Sequence, residues 1–458
     1  MGKILEKQRA KFMNGKTDSK YDLTNGPILD KLLLVALPII GTQLLMMSYN
    51  FVDMFLLGRV GSDAVASAGL AGMYVWMSEG FLLVGKMGAE IGVSQNLGRR
   101  ETEAARKFSL NSIFLALLIG IFFTISAEAF SDRLIGFFRV QEANVASDAR
   151  VYLVIVALSA PALFVSAAIS GIFTGAGNSR VPFAINASGL ALNVVLDLIF
   201  IFGLGMGVKG AAVATAISQA AACGILLAAL VLKKGVPFDR FVFLEKPDGK
   251  VIVQILRWSV PLAVVSVLFT FFTMFINRLA AGFGAGVIAV YRVGTHIESL
   301  TWLTGEGMAT SVAAFAGQNY GAMKLNRIKE GVKIALISWC LWGAAVMALL
   351  IIAGRTLFAF FLPDPALIDM GGTYLRILAM CEVFGCLEAI SFGAMRGLGK
   401  PIPQFVASIG CNALRIPISY ALAYFFGVNG IWMGISITAS MRGFFGYIWF
   451  RRVMKNLR

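Results

Sequence analysis

Residues 37–55 read LPIIGTQLLMMSYNFVDMF, and residues 260–278 read VPLAVVSVLFTFFTMFINR. Both are long apolar runs with proline in second place, Pro38 and Pro261. A helix needs about 20 mostly apolar residues to cross a bilayer, and such runs recur from Leu32 to Phe450. They do not alternate polar and apolar positions as barrel strands would; LLAALVL (226–232) and AAVMALLIIA (344–353) are examples. The fold class is therefore an all-α membrane protein.

The pairing of those two runs is not isolated. SQNLGRRETEAARKF (94–108) matches GQNYGAMKLNRIKEG (317–331), GAGNSRVP (175–182) matches GLGKPIP (397–403), and GMGVKGAA (205–212) matches FGVNGIW (426–432). One offset relates all four pairs, so the chain is a duplication with both copies running in the same direction. Hydropathy and breaker residues predict twelve spans, near 31–57, 64–92, 108–127, 149–174, 183–203, 209–232, 255–281, 286–316, 330–353, 371–395, 402–426 and 430–450. The expected organisation is a tail (1–30), an N-terminal lobe of six spans (31–232), a polar connection (233–254) and a C-terminal lobe of six spans with a short basic tail (255–458). Parallel repeats of membrane helices build two lobes around a central cavity that rocking exposes to alternate sides.

Charge gives an orientation. Of 458 residues 58% are hydrophobic and 14% charged, with net charge +15. The basic residues gather in alternate connections, around Arg99–Lys107, Lys233–Lys250, Lys324–Lys329, Arg396–Lys400 and Arg451–Arg458. By the positive-inside rule these connections and both termini are expected to be cytoplasmic. Nucleic-acid binding needs one continuous basic face, which this distribution does not offer. The five cysteines all fall within apolar spans and His296 is the only histidine. Neither a zinc site nor a disulfide framework is expected.

Within this apolar background, carboxylates are the informative residues. An Asp at the centre of a bilayer costs about 2.5–3.5 kcal/mol on insertion scales, so it normally faces water or a partner. Asp53 lies towards the far end of the first span, with Tyr49 and Asn50 on its helix face and placed to donate to it. In NVVLDLIF (193–200), Asn193 and Asp197 share a face of the fifth span, and Thr215 in the sixth can join them. Asp53, Asn193, Asp197 and Thr215 are expected to form one cluster. Two carboxylates in a poorly hydrated lobe repel each other when both are charged, which a proton or a sodium ion would relieve.

The C-terminal half mixes charges. Arg278, Arg292, His296, Glu298 and Glu306 fall in the seventh and eighth spans, Arg376, Glu382 and Glu388 in the tenth, and Arg415 in the eleventh. Glu298 and His296, with Glu382 and Glu388, are the candidates there for a second coupling site. GMGVKG (205–210) has GxGxxG spacing, but it joins two membrane spans instead of following a buried strand. It is read as a tight turn.

On NFVDMFLLGRVG in the first span, GVSQNLGRRETEAAR after the second, GNSRVPFAINASGLALNVVLDLIFIFGLGMGVKGAAVATAISQ through the fifth and sixth, and AAFAGQNYGA and MRGLGKPIPQF in the second half, the chain resembles the MATE family, the multidrug and toxic compound extrusion transporters. The resemblance covers residues 28–450. It implies a V-shaped pair of six-helix lobes and cation-driven export of organic compounds, with no cofactor beyond the coupling ion, H+ or Na+. It is most similar to the DinF-like bacterial branch, where the positions matching Asp53, Asn193, Asp197 and Thr215, with Tyr49 nearby, carry cation and drug binding. A NorM-like C-lobe site would need acids that this chain replaces with Phe269 and Gly385.

The expected function is a monomeric secondary antiporter in the lipid bilayer, taking amphipathic, often cationic molecules. Tyr49, Asn50, Met46, Met47 and Met274 would supply an adaptable binding surface. The rivals are a flippase for lipid-linked oligosaccharides, which needs a cationic cavity from residues such as Arg278, Arg292 and Arg415, and a membrane-embedded transferase.

Overall fold

A computed structural model of the chain describes residues 21–138, 140, 142–232, 236 and 245–456, with Asn50, Phe51 and Ala285 described by backbone only. Most of the expected tail (1–20) and much of the expected connection (233–235, 237–244) lie outside the described residues.

The described chain is helical throughout, with no strand. The N-terminal lobe holds α1 (Ile28–Val60), α2 (Ser62–Gly98), α3 (Thr102–Gly136), α4 (Ala143–Leu158), α5 (Ala160–Gly175), α6 (Arg180–Asp197) with a π-turn over Leu198–Gly203, and α7 (Val208–Val231). The C-terminal lobe holds α8 (Gly249–Ala281), α9 (Ala285–Gly321), α10 (Leu325–Ala359), α11 (Pro365–Gly397), α12 (Ile402–Phe426) and α13 (Val428–Lys455). Taking α4 with α5, and α6 with its π-turn, gives twelve rods at the twelve expected places. Among the described residues nine helices are long and apolar enough to span a membrane, ten with the bent pair α4–α5. The remaining two, α9 and α13, carry Arg292, Glu298, Glu306 and Arg442 within their lengths.

One expected span is broken. The run read as 149–174 is two helices bent by 45°. Pro161 has no N–H to give the carbonyl of Ala157, which frees that carbonyl. The Thr124 hydroxyl donates to it at 2.6 Å.

The duplication is visible in the packing. In the first lobe α2 lies on α3 and on α4–α5, α1 on α6, and α6 on α7. In the second α9 lies on α10 and on α11, α8 on α12, and α12 on α13. Across the lobes α2 meets α8, and α9 meets α1 and α2.

The lobes are clasped at the end that carries the basic connections. Gln95 Nε2 donates to the carbonyl of Gly397 at 2.8 Å, and its repeat mate Gln318 donates through Nε2 to the carbonyl of Gly175 at 2.9 Å. Both bonds cross the lobe boundary, in opposite directions. The backbones approach so closely that a Cβ on Gly98 would strike the Gln318 carbonyl, and one on Gly321 the Gln95 carbonyl. Further along α2, Gly80 still faces Val267 of α8, whereas Gly72 and Gly69 face open space. The lobes therefore part towards the opposite end.

Residues 21–27, expected to belong to a tail, are packed into this clasp. Leu23 is fully buried, its N–H donates to Gln318 Oε1 at 3.0 Å, and its carbonyl accepts from Asn319 Nδ2 at 3.1 Å. Lys324 Nζ donates to the Thr24 carbonyl and to Asn25 Oδ1, and Arg327 to the Gly26 carbonyl.

Candidate functional site

The helices of the N-terminal lobe bring Asp53, Asn193, Asp197 and Thr215 into one neighbourhood. Asp197 is the last residue of α6 before the backbone widens into the π-turn, where Leu204 N–H reaches back five residues to the Ile199 carbonyl at 2.9 Å. Such π-turns shift the register of a helix and recur at functional sites. Asp197 is fully buried, Asn193 is 3% exposed, and Asp53 and Thr215 are half-buried. The Asp53 carboxylate lies close enough to act electrostatically on that of Asp197.

Their oxygens are unanswered. Asp53 Oδ1, both oxygens of Asp197 and the Asn193 amide nitrogen are buried without a hydrogen-bond partner. The expectation that Tyr49 donates to Asp53 is corrected: its hydroxyl lies 3.4 Å from the Thr215 hydroxyl. Tyr49 and Asp53 share a helix face, but the longer phenol spans the gap from α1 to α7. Asn50 is in the same helix, with its side chain outside the described residues. Tyr152 of α4, buried and also acted on by both acids, closes another side of the cluster. Sequence reading missed it, because a tyrosine in an apolar span carries no signal of its own.

Three buried carboxylate oxygens without donors suit an electropositive guest. A proton needs one of them, and a sodium ion would use several with the Asn193 and Thr215 oxygens. Among the described residues no group of three or more His, Cys, Asp or Glu side chains is arranged to hold a metal ion.

Of the expected substrate contacts, Met46 is 44% and Met274 60% exposed. Met47, one position on, is the methionine that reaches the other lobe, its sulfur 3.8 Å from the Ser299 hydroxyl of α9.

In the C-terminal lobe Glu298 and Glu382 come together and Glu388 does not. Glu298 Oε1 is buried without a partner, and Glu382, Arg415 and Tyr374 are the groups that act on it. Glu388 accepts from Arg442 Nε at 2.6 Å. His296 is exposed, two positions before Glu298 and so on a different side of α9. Arg278 and Arg292 are exposed on either side of the α8–α9 turn, while Arg415 Nε donates to Thr438 at 3.0 Å.

A further set of charges includes two, Lys86 and Glu90, that were not read from the sequence. Lys86 and Glu90 lie in α2 and face Glu306 of α9 and Arg396 of α11, which are joined at 2.8 Å. The available signal was charge at positions 79, 86 and 90 of a single span, spaced so as to share one helix face.

A family model described as MatE matches residues 38–199 and 261–421 of this chain. The chain is 28% identical over 413 residues to the "Probable multidrug resistance protein NorM" of Thermotoga maritima, covering 88% of each chain. It is 23% identical over 429 residues to the multidrug export protein MepA of Staphylococcus aureus, covering 93% of this chain and 94% of that one. Among solved structures, a MATE protein in a bent conformation superposes with TM-score 0.90 at 21% identity, over 96% of this chain and 98% of that one. An outward-facing multidrug resistance MATE transporter of the MOP superfamily superposes at 0.89 and 22% identity, over 96% and 98%.

Proposed function

This chain belongs to the MATE family, and from that premise we propose that it is a secondary active exporter of organic compounds. It exchanges a cation, H+ or Na+, for amphipathic and often cationic molecules by alternating access. The observation that carries this reading is the Asp53–Asp197 pair, held inside one lobe with three buried carboxylate oxygens unanswered. A cation entering from the open end neutralises the pair. Because α1 carries Asp53 and also packs on α9 of the other lobe, a change at the pair reaches the lobe boundary. The change in charge thereby biases which side of the cavity is open.

The clasped end, with its basic connections and the C-terminus, is cytoplasmic by the positive-inside rule, so the lobes are poised outward. The membrane is the bacterial inner membrane and the unit a monomer. Tyr49, Met46, Met47 and Met274 offer a polarizable apolar surface to the cargo, and Asp53 attracts its positive charge. Exchange of one proton for one monovalent cation moves no net charge. It therefore draws only on concentration gradients and not on the roughly 2.3 kcal/mol per charge that 100 mV supplies.

Glu298 and Glu382 are a secondary candidate for coupling, since they too are acids brought together inside a lobe. The flippase reading is disfavoured by the scattered arginines. Arg278 and Arg292 flank a turn and Arg415 is tied to Thr438, so they do not line one cationic cavity.

The test is dye efflux in everted membrane vesicles, with the proton and sodium gradients collapsed separately. Collapse of the coupling gradient is expected to stop accumulation, and collapse of the other to leave it unchanged. Transport indifferent to both would reject antiport.

A further inference from the structure

Lys86, Glu90 and Ser94 are spaced four apart on α2 and share a face. That face looks across the lobe boundary, because a Cβ on Gly317 of α9 would run into the Ser94 hydroxyl. Glu90 is 1% exposed, and neither of its carboxylate oxygens meets a donor. Its charged neighbours are Arg396 at the end of α11, Lys86 one turn away, and Glu306 of α9. The other elements around this stretch are apolar: α3 brings Phe108 to Gly92, α8 brings Ile255 to Gly88, and α5 brings Gly171 and Gly175. Arg396 Nη1 is bonded to Glu306, and its Nε is buried without an acceptor. Gly397, the next residue, is the one whose carbonyl takes the Gln95 bond. The cluster thus sits directly on the clasp. Glu90 lies about 12 Å from the basic end of α2 and Asp53 about 37 Å from that of α1, at 1.5 Å per residue, so the two acids differ by about 25 Å in depth.

A buried carboxylate without donors is costly, and so needs a guest or a partner. A hard metal cation would require about six oxygen ligands, and here Lys86 and Arg396 repel it. A proton requires one oxygen. We propose that Glu90 is a proton-binding site at the lobe boundary, separate from the Asp53–Asp197 pair, whose occupancy sets the grip between α2 and α11. When Glu90 is ionised, Glu90 and Glu306 balance Lys86 and Arg396. The attraction from Glu90 to Arg396 then crosses the boundary and holds the basic end shut. When Glu90 takes a proton, that attraction is lost and one positive charge is left over, so the clasp loosens and water reaches the site. The inference rests on the two-lobe transporter reading but not on what is exported.

The experiment uses the full chain in lipid nanodiscs with a label pair at the exposed positions Glu101 and Asn326, one in each lobe at the basic end. Asp53→Asn and Asp197→Asn are included to silence the N-lobe pair, and Glu298→Gln with Glu382→Gln to silence the acids of the other lobe. Label separation is measured from about pH 4 to about pH 9, a range spanning carboxyl groups at and above their ordinary values. Separation is expected to grow as pH falls. Glu90→Gln should hold the open-leaning distribution at every pH, with the clasped population down about tenfold, and Glu90→Asp should restore the response. An infrared difference spectrum across the same range should carry a buried carboxylic-acid band that Glu90→Asp shifts. This gives a second readout should Glu90→Gln fold poorly. A pH response unchanged by Glu90→Gln, a spectrum unchanged by Glu90→Asp, or the same separation driven by sodium at constant pH would each overturn the proposal. Failure of gradient-driven dye efflux would reject antiport while leaving this label response intact, so the two ideas fail separately.

Discussion

In the N-terminal lobe Asp53 and Asp197 keep three buried carboxylate oxygens without a donor. In the C-terminal lobe Glu306 and Glu388 are each bonded to an arginine, Arg396 and Arg442. The scaffolds are copies, down to the prolines inside α1 and α8 and the glutamines of the clasp. Duplication has therefore preserved what holds the lobes together and let the buried charge diverge. A carboxylate already paired with a guanidinium resists a proton or a sodium ion, since binding either would break a charge-assisted bond. An unanswered carboxylate gains by binding one. The lobe that kept its acids unpaired is therefore the one proposed to take the cation, and Glu298 with Glu382 is the part of the other lobe that resembles it.

The sharpest way to break this comparison is to neutralise one acid in each lobe. Asp197→Asn is expected to lower gradient-driven dye efflux at least tenfold while leaving thermal stability near that of the parent, because an amide fits where the carboxylate had no partner. Glu388→Gln should do the reverse. It leaves Arg442 largely buried and unpaired, at a cost of up to about 3 kcal/mol, read as a lower melting temperature with efflux retained. Loss of efflux in Glu388→Gln with retention in Asp197→Asn would invert the assignment of the lobes.

The unpartnered acids of the N-terminal lobe were legible in the sequence because the relevant physics is local. A carboxylate in an apolar run is costly wherever it lies, and the four-residue step from Asn193 to Asp197 puts both on one face. The duplication was legible because one offset relates four separated segments. Other features depend on contacts that hydropathy averages away. Glu90 and Lys86 fall in a span whose mean is still apolar, so their purpose emerges only when α9 and α11 of the other lobe are placed against them. The π-turn after Asp197 depends on α7 lying against it, where Gly210 meets the Phe200 carbonyl. Residues 21–27 looked like a tail because their side chains are polar. They are held largely through backbone groups, which composition does not report.

A smaller effect separates the two glutamines of the clasp. Gln95 makes one cross-lobe bond, whereas Gln318 makes the equivalent bond and also accepts from the Leu23 N–H. At about 1 kcal/mol per bond, Gln95→Ala should shift the balance between clasped and parted basic ends about fivefold. Gln318→Ala should shift it further, by up to about another fivefold if the Leu23 bond contributes as much. Label separation between positions 101 and 326 is the measurement. Equal shifts would mean that the 21–27 segment adds nothing to closure, and that the clasp is as symmetric as the repeat.

The smallest expected effect tests what holds that segment. Burial alone would raise the Asp22 carboxyl. Hydrogen bonds from the Thr24 side chain, the Thr24 backbone and Asn25, with Lys31 nearby, leave it below its ordinary value. A carboxyl depressed on folding contributes stability above its unfolded value and loses it as pH falls through the folded one. Protection of the Leu23 amide against hydrogen exchange should therefore be flat near neutral pH and weaken only below about pH 4. Asp22→Asn should remove that acid response and change neutral-pH opening by less than about twofold, as for most partly exposed substitutions. If protection instead fell between about pH 5 and about pH 7, a range where an acid raised above its ordinary value titrates, Asp22 would not be its source. The control over the segment would then pass to the buried acids of the clasp, and the two lobes would be coupled through Glu90 more tightly than through the glutamines.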